Sequence, residues 1–133
     1  MNLTDPISDM FSRVQNAINA QHDEVSIPFS KIKYSIAEIL KEEGYVRHIE
    51  VFKKDLNKRF IRIHLKYAET GENAIRVLRR ISKPSKRVYL KKYNIPKVLN
   101  GYGVGFITTN QGVKSSRRAR VANLGGEYIG EVY

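Results

Sequence analysis

The stretch "VRHIEVFKKDLNKRFIRIHLKY", Val46–Tyr67, decides the fold class. In its second half Ile61, Ile63, Leu65 and Tyr67 alternate with Phe60, Arg62, His64 and Lys66. A period of two, rich in β-branched residues, marks a strand with one buried and one wet face. The arms, about Val46–Lys53 and about Phe60–Tyr67, are separated by "KDLNK", which has turn chemistry, so the stretch reads as a hairpin. A hairpin commits the chain to antiparallel pairing. The expected class is α+β, with short helices packed on small, mainly antiparallel sheets.

Upstream, Thr4-Asp5-Pro6 supplies capping side chains and a proline suited to a first helical position. Ile7, Met10, Phe11, Val14 and Ile18 recur at helical spacing, with Arg13 and Asn16 off that stripe. A strand is expected around Val25–Phe29. Ser30 then caps a second helix with Ile32, Ile36, Ile39 and Leu40 inward and Gly44 at its end. Lys31 and Lys33 fall near its start, where the helix dipole disfavours cations, so their charge serves something other than the helix.

Downstream, "ETGE", Glu69–Glu72, divides the chain into two small lobes, 1–70 and 71–133. Ala74–Ile81 reads as strand or short helix, followed by a proline turn and a strand near Val88–Leu90. Asn94 is expected to cap a one-turn helix, "IPKVLN", ended by Gly101. Gly105–Thr109 reads as a strand. Ser115 or Ser116 caps a helix through Asn123, stopped by Gly125-Gly126, and Glu127–Tyr133 is the last strand.

Charge is unevenly spread over the 133 residues. Residues 1–70 carry 11 Lys/Arg and 10 Asp/Glu, a net of +1, and residues 71–133 carry 13 and 3, a net of +10. Such a field draws a polyanion to the second lobe. A membrane surface fits less well, since no long basic amphipathic helix is evident. The absence of cysteine excludes a thiol nucleophile, a zinc–thiolate site and a disulfide framework, and suits a reducing, cytoplasmic setting. No apolar run has membrane-spanning length, and "MNLTDPISDMF" lacks the pattern of a signal peptide.

Catalytic signals are absent. His22, His48 and His64 are scattered, although His48 and His64, on opposite hairpin arms, face one another as ordinary strand histidines. "NGYGVG", Asn100–Gly105, lacks both the Walker lysine and the GxGxxG spacing, and reads as a helix stop where backbones pack closely. No enzyme, metal, cofactor or small-molecule substrate is expected.

Binding signals concentrate in the second lobe. Lys83, Lys86, Arg87, Lys91, Lys92 and Lys97 surround Tyr89, which could stack on a base, and Tyr93, which reads as packing. In "FITTNQGVKSSRRAR", Phe106–Arg120, the short polar residues Thr108, Thr109 and Asn110 lie beside Gly112, with Lys114, Arg117, Arg118 and Arg120 following. Phosphate contacts position a protein without reading sequence, whereas short side chains can reach a base edge or a 2′-hydroxyl. The stretch therefore reads as a recognising tip beside a cationic clamp.

Several segments together resemble the bacterial small-subunit ribosomal protein eight family, a primary binder of small-subunit rRNA. They are "TDPISDMFSRVQNA" at 4–17, "IPFSKIK" at 27–33, "ILKEEGY" at 39–45, "RRISKPSKRVY" at 79–89, "IPKVLNGYGVGFITTNQGVKSSRRAR" at 95–120 and "NLGGE" at 123–127. The resemblance implies a structural, non-enzymatic role in the cytoplasmic ribosome, with the central domain of the rRNA and neighbouring ribosomal proteins as partners. It also implies RNA contacts from Thr108, Thr109 and Asn110, where the family usually has Ser, Thr, Ser. Ser85 stands where the family has a glycine after Pro84. Gly125, Gly126 and Glu127 match a further contact segment, and Thr4, Arg13, Asn16, Lys31 and Lys33 are implied contacts with a second rRNA helix. A general basic module for RNA or DNA, or a repressor binding its own mRNA, is the alternative.

Overall fold

A computed structural model describes residues 5–133. The chain divides into two compact units, Asp9–Ile75, and Arg76–Tyr133 together with residues 5–8. The α+β expectation holds: among the described residues three α-helices accompany two antiparallel sheets.

Helix α1 (Pro6–Asn19) starts where the Asp5 carboxylate accepts the Ser8 amide at 3.3 Å and the Ser8 hydroxyl at 2.5 Å. Asp5 is thus the capping acceptor, and Thr4 lies outside the described residues. The expected stripe is buried from Met10 onward, joined by Ala17. Strand β1 (Glu24–Pro28) leads to α2 (Lys31–Glu42), whose Ser30 hydroxyl accepts the Lys33 amide at 3.2 Å. Gly44, at φ +82°, supplies the left-handed residue that ends it.

Helix α2 corrects the sequence reading at one point. Its buried stripe runs through Lys33, Ile36, Ala37 and Leu40, a spacing of three, four and seven, with Ile39 beside it. Ile32 falls off that stripe and is 42% exposed. Helical phase places the lysine inward, because its aliphatic stem can lie along apolar surface.

The hairpin is tighter than expected. Strands β2 (Val46–Asp55) and β3 (Lys58–Leu65) leave only Leu56 and Asn57 in the turn. The sheet order is β1-β3-β2. Ile27, Val46, Ile49, Ile61, Ile63 and Leu65 form its buried face, each worth roughly 2 kcal/mol of apolar burial. Tyr67 lies beyond β3, where its hydroxyl donates to the His22 carbonyl at 2.6 Å.

The other unit is built around β8 (Gly126–Val132). On one side β8 pairs with β4 (Leu78–Arg80) and β5 (Tyr89–Leu90), and on the other with β6 (Val104–Thr109), which pairs with β7 (Gly112–Ser115). Ser115 caps α3 (Ser116–Val121), its hydroxyl accepting the Arg118 amide at 3.2 Å. Ile95, Ile107 and Ala119 are buried together, with Leu90 packed against them.

Three local expectations change. Asn94 caps no helix; the segment is a 3-10 turn, Val98–Gly101, preceded by Lys97, with Leu99, Asn100 and Gly101 all in left-handed conformations. Helix α3 ends at Val121 and Asn123, at φ 55°, provides its stop, so Gly125 and Gly126 have a different task. Strand β7 was not anticipated, since its residues read as the approach to a helix. No helix among the described residues is long and apolar enough to cross a membrane.

Candidate nucleic-acid interface

The β8 register assembles residues from three distant segments. Glu127 lies opposite Tyr89 on β5 and opposite Thr108 on β6, and Thr108 lies opposite Val113 on β7. Directly opposed residues of antiparallel strands point to the same side. Tyr89, Glu127 and Thr108 therefore share one sheet face. Ile107, one residue back, turns to the face covered by α3, and Lys114 lies opposite it.

The two glycines permit this row. A Cβ on Gly125 would stand 2.5 Å from the Leu90 carbonyl oxygen and 2.9 Å from the Lys92 amide nitrogen. One on Gly126 would run into the Thr108 carbonyl. Strands β5, β8 and β6 come this close only because β8 begins without side chains. Gly125 and Gly126 are half-buried spacers that bring Tyr89 and Thr108 to Glu127.

The β6–β7 tip has its own supports. Asn110 and Gln111 form the turn without positive φ, and Gly112, at φ +97°, takes the left-handed position after them. This is the pattern of a turn closed by a glycine bulge. The Thr109 hydroxyl donates to the Gly112 carbonyl at 2.7 Å and accepts the Gln111 amide at 3.1 Å. Thr109 is only 9% exposed. Of the three polar residues implied as contacts, Asn110 is exposed, Thr108 half-buried and Thr109 turned to the tip's internal bonding.

Beside the row, Glu127 accepts from the Ser82 hydroxyl at 2.5 Å and from the Arg87 guanidinium at 2.8 Å. Burial pushes the Glu127 pKa up, but the Ser82 hydroxyl and Arg87 outweigh it and hold the carboxyl below its ordinary value. An ionised Glu127 thus fixes Arg87 next to Tyr89, which is 70% exposed. The Ser82 hydroxyl also accepts the Val88 amide at 3.0 Å. Lys83 and Lys86 exchange backbone hydrogen bonds of 2.9 and 3.0 Å around Pro84-Ser85. Ser85 has no positive φ, so this turn needs no glycine, and its side chain is exposed with Lys83 and Lys86. Tyr93, expected to pack, is 81% exposed, with the Lys92 ammonium 5.0 Å from its ring centre.

On the α3 side, Arg117 and Arg118 are exposed and Lys114 half-buried. The Arg117 guanidinium donates to the Gly101 carbonyl, and Arg120 donates to the Pro96 carbonyl at 3.2 Å. These two bonds tie α3 to the segment around the 3-10 turn.

The remaining candidates belong to the other unit. Arg13 is exposed and pairs with Asp9 at 2.9 Å, and Asn16 and Lys31 are exposed. Lys33 is 6% exposed, so it does not present its charge at the surface. Burial lowers its pKa, Asp9 opposes that and Arg13 adds to it. On the open sheet face His48 and His64 lie 5.6 Å apart between ring centres, as their register implied. His64 Nε2 is 3.2 Å from Glu50 and Nδ1 3.6 Å from Glu24, and Arg62 meets Glu50 at 3.0 Å. Among the described residues no group of three acidic or histidine side chains could hold a metal.

Sequence reasoning missed the partners of the arginines: Glu127 for Arg87, Asp5 for Arg80 at 3.0 Å, and Glu131 for Arg79. These pairs span 40 to 75 positions, beyond any local pattern.

The chain matches the family model described as ribosomal protein S8 over residues 5–133. Among curated proteins it is 50% identical to the small ribosomal subunit protein uS8 of Corynebacterium glutamicum over 133 residues, covering 100% of both chains. The proteins of the same name from Streptococcus thermophilus and Streptococcus uberis are 48% and 47% identical, again over 100% of each chain.

Proposed function

The chain belongs to the ribosomal protein S8 family, and from that premise we propose that it is a structural constituent of the small ribosomal subunit. In this reading it works in the cytoplasm without catalysis. It binds small-subunit rRNA early and holds the central domain in shape, beside neighbouring ribosomal proteins.

The observation that carries the reading is the row Tyr89–Glu127–Thr108 ending at the Asn110 tip. Asn110 and Thr108 are short enough to meet a base edge or a 2′-hydroxyl, and Tyr89 offers an exposed ring for stacking. Lys83, Lys86, Lys114, Arg117 and Arg118 neutralise phosphate around them. Arg87, held by Glu127, presents its remaining donors in a fixed direction. Thr109 serves recognition through the tip's shape. Arg13, Asn16 and Lys31 engage a second rRNA helix, with Lys33 acting behind Asp9 and Arg13. The division of labour follows the charge, with residues 71–133 binding most heavily and residues 1–70 making the second contact.

Footprinting on complete small-subunit rRNA is the direct test. Protection confined to the central domain is expected. Scattered protection, or equal gel-shift affinity for a central-domain fragment and duplex DNA of the same length, would reduce the protein to a general basic module.

A further inference from the structure

The hairpin tip of the first unit carries a second concentration of charge that the reading above does not use. Lys53, Lys54, Lys58 and Arg59 fall within seven residues, opposed only by Asp55. Among the described residues no ion pair involves any of the four, nor Lys31 nearby. Farther down the same sheet Arg62 and His64 are matched by Glu24 and Glu50. The distal end of the hairpin is thus a place where several cations gather without an ion-pair partner among the described residues.

Aromatic rings are interleaved with these cations. The Arg59 guanidinium lies 4.3 Å from the centre of the Phe29 ring, and Phe29 meets Tyr34 edge-on at 6.0 Å. Phe52 and Phe60 stack at 5.7 Å, with the Lys54 ammonium 5.9 Å from Phe60. Two clefts of about 500 Å³ each share Phe29 and Arg59 as a wall. One is lined further by Lys31, Tyr34, Ser35, Glu38 and the 40% exposed Val51, the other by Pro28, Asn57, Lys58 and Phe60, so Glu38 is the carboxylate that a bound phosphate must avoid. Their volume lies within the range of about 300–1,000 Å³ typical of small-ligand sites.

We propose that this double cleft binds unpaired nucleotides of a single-stranded RNA segment. A base stacks on the outer face of the Arg59 guanidinium, which Phe29 supports from behind, and Lys58 meets an adjoining phosphate, while Lys31 stays with the second rRNA helix. Guanidinium planes and aromatic rings accept any base, so the site holds RNA without reading its sequence. The observations favour RNA over a protein strand or helix because the cations lack carboxylate partners and are interleaved with ring faces. The proposal rests on the chain being an RNA binder, but not on the Asn110 tip.

The test uses a short single-stranded RNA of mixed sequence carrying 4-thiouridine, with the full chain. Photo-crosslinks are expected on the peptides containing Phe29, Tyr34 and Phe60. Arg59→Gln should weaken binding about tenfold, the loss of one stacked base. Arg59→Lys, which keeps the charge and lacks the plane, should lose nearly as much, while Asn110→Ala should leave this affinity unchanged. Wild-type affinity in Arg59→Lys would overturn the stacking, and crosslinks found only in residues 76–133 would overturn the site. Unchanged RNA binding in Arg59→Gln together with loss of a small-subunit protein from the assembled particle would make the clefts a protein dock and sink the proposal. If the central-domain fragment binds tightly and the single strand does not, this inference alone fails. If the single strand crosslinks as expected but the fragment shows no preference over duplex DNA, the proposed function alone fails.

Discussion

The two hairpins of the molecule distribute charge in opposite ways. The β6–β7 tip lies in the half with a net of +10, yet Thr109, Asn110, Gln111 and Gly112 are uncharged. The β2–β3 tip lies in the half with a net of +1, yet it concentrates four cations in seven residues. Net charge over a segment is an average, and a ligand meets local pairing instead. In the basic half Arg79, Arg80 and Arg87 are neutralised by Glu131, Asp5 and Glu127, and Arg117 and Arg120 are held by carbonyls. These arginines fasten a scaffold around a polar tip. The near-neutral half matches Arg62 and His64 with Glu24 and Glu50 in mid-sheet and leaves the hairpin end cationic.

The scaffold side of this contrast is the easiest to break. Gly126→Ala should give the largest effect, about 3 kcal/mol of lost stability, because the added Cβ meets backbone rather than a flexible side chain. Gly112→Ala should cost about 1 kcal/mol, since it has open space around it and only a strained φ of +97°. Urea unfolding of both variants measures the difference. Equal losses would mean that β8 tolerates separation from β6, and the row through Glu127 would lose its structural basis.

The tip separates a supporting residue from a contacting one. Thr109→Ala removes a buried hydroxyl from two hydrogen bonds and should cost about 1–2 kcal/mol of stability as well as rRNA affinity. Asn110→Ala should lower the affinity while changing stability by less than about 0.5 kcal/mol. Paired unfolding and gel-shift measurements decide it. Full stability in Thr109→Ala would return Thr109 to the direct contacts.

Charge removal sharpens the comparison through salt dependence. Lys83→Ala with Lys86→Ala should lower the log–log salt slope for the central-domain fragment by about 1.4–1.8, at about 0.7–0.9 per phosphate contact. The same pair of substitutions should leave binding of the single strand nearly unchanged. Similar slopes for wild type and variant on the fragment would remove the Pro84 turn from the interface.

What was legible in the sequence followed periodicity and capping. The α1 stripe, the Ser30 and Ser115 caps and the alternation of β3 are local patterns, and the structure has them. Hydrophobicity alone puts Ile32 inward, whereas helical phase leaves it exposed and buries the stem of Lys33 instead. Strand β7 was hidden because Gly112–Ser115 is too short to alternate visibly. A lone threonine gives no sign of where its hydroxyl points, and only the bulge at Gly112 reveals the internal bonds of Thr109. The row Tyr89–Glu127–Thr108 depends on register between segments far apart, which no single segment encodes. The resemblance implied contacts in these segments, and the register shows that the fold brings them to one sheet face.

The smallest expected effect tests the pairing itself. Burial raises the Asp5 pKa, but the bonds from Ser8 and Arg80 outweigh it, so its carboxyl, like that of Glu127, is held below its ordinary value. A carboxylate with a depressed folded pKa stabilises fully above the unfolded value, about 4. That contribution disappears as pH falls through the folded pKa, because the unfolded chain takes up protons first. Stability should therefore be flat from neutral pH to about 5 and decline below about 4. Glu127→Gln should remove part of that decline, a change of under about 1 kcal/mol for a partly exposed pair. Arg59→Gln should leave the decline as it is in the wild type, because no carboxylate of the described residues pairs with Arg59. Unfolding followed from pH 7 to 3 in the three proteins separates the cases. An acid limb altered by Arg59→Gln and untouched by Glu127→Gln would reverse the assignment of fastening and binding cations between the two units.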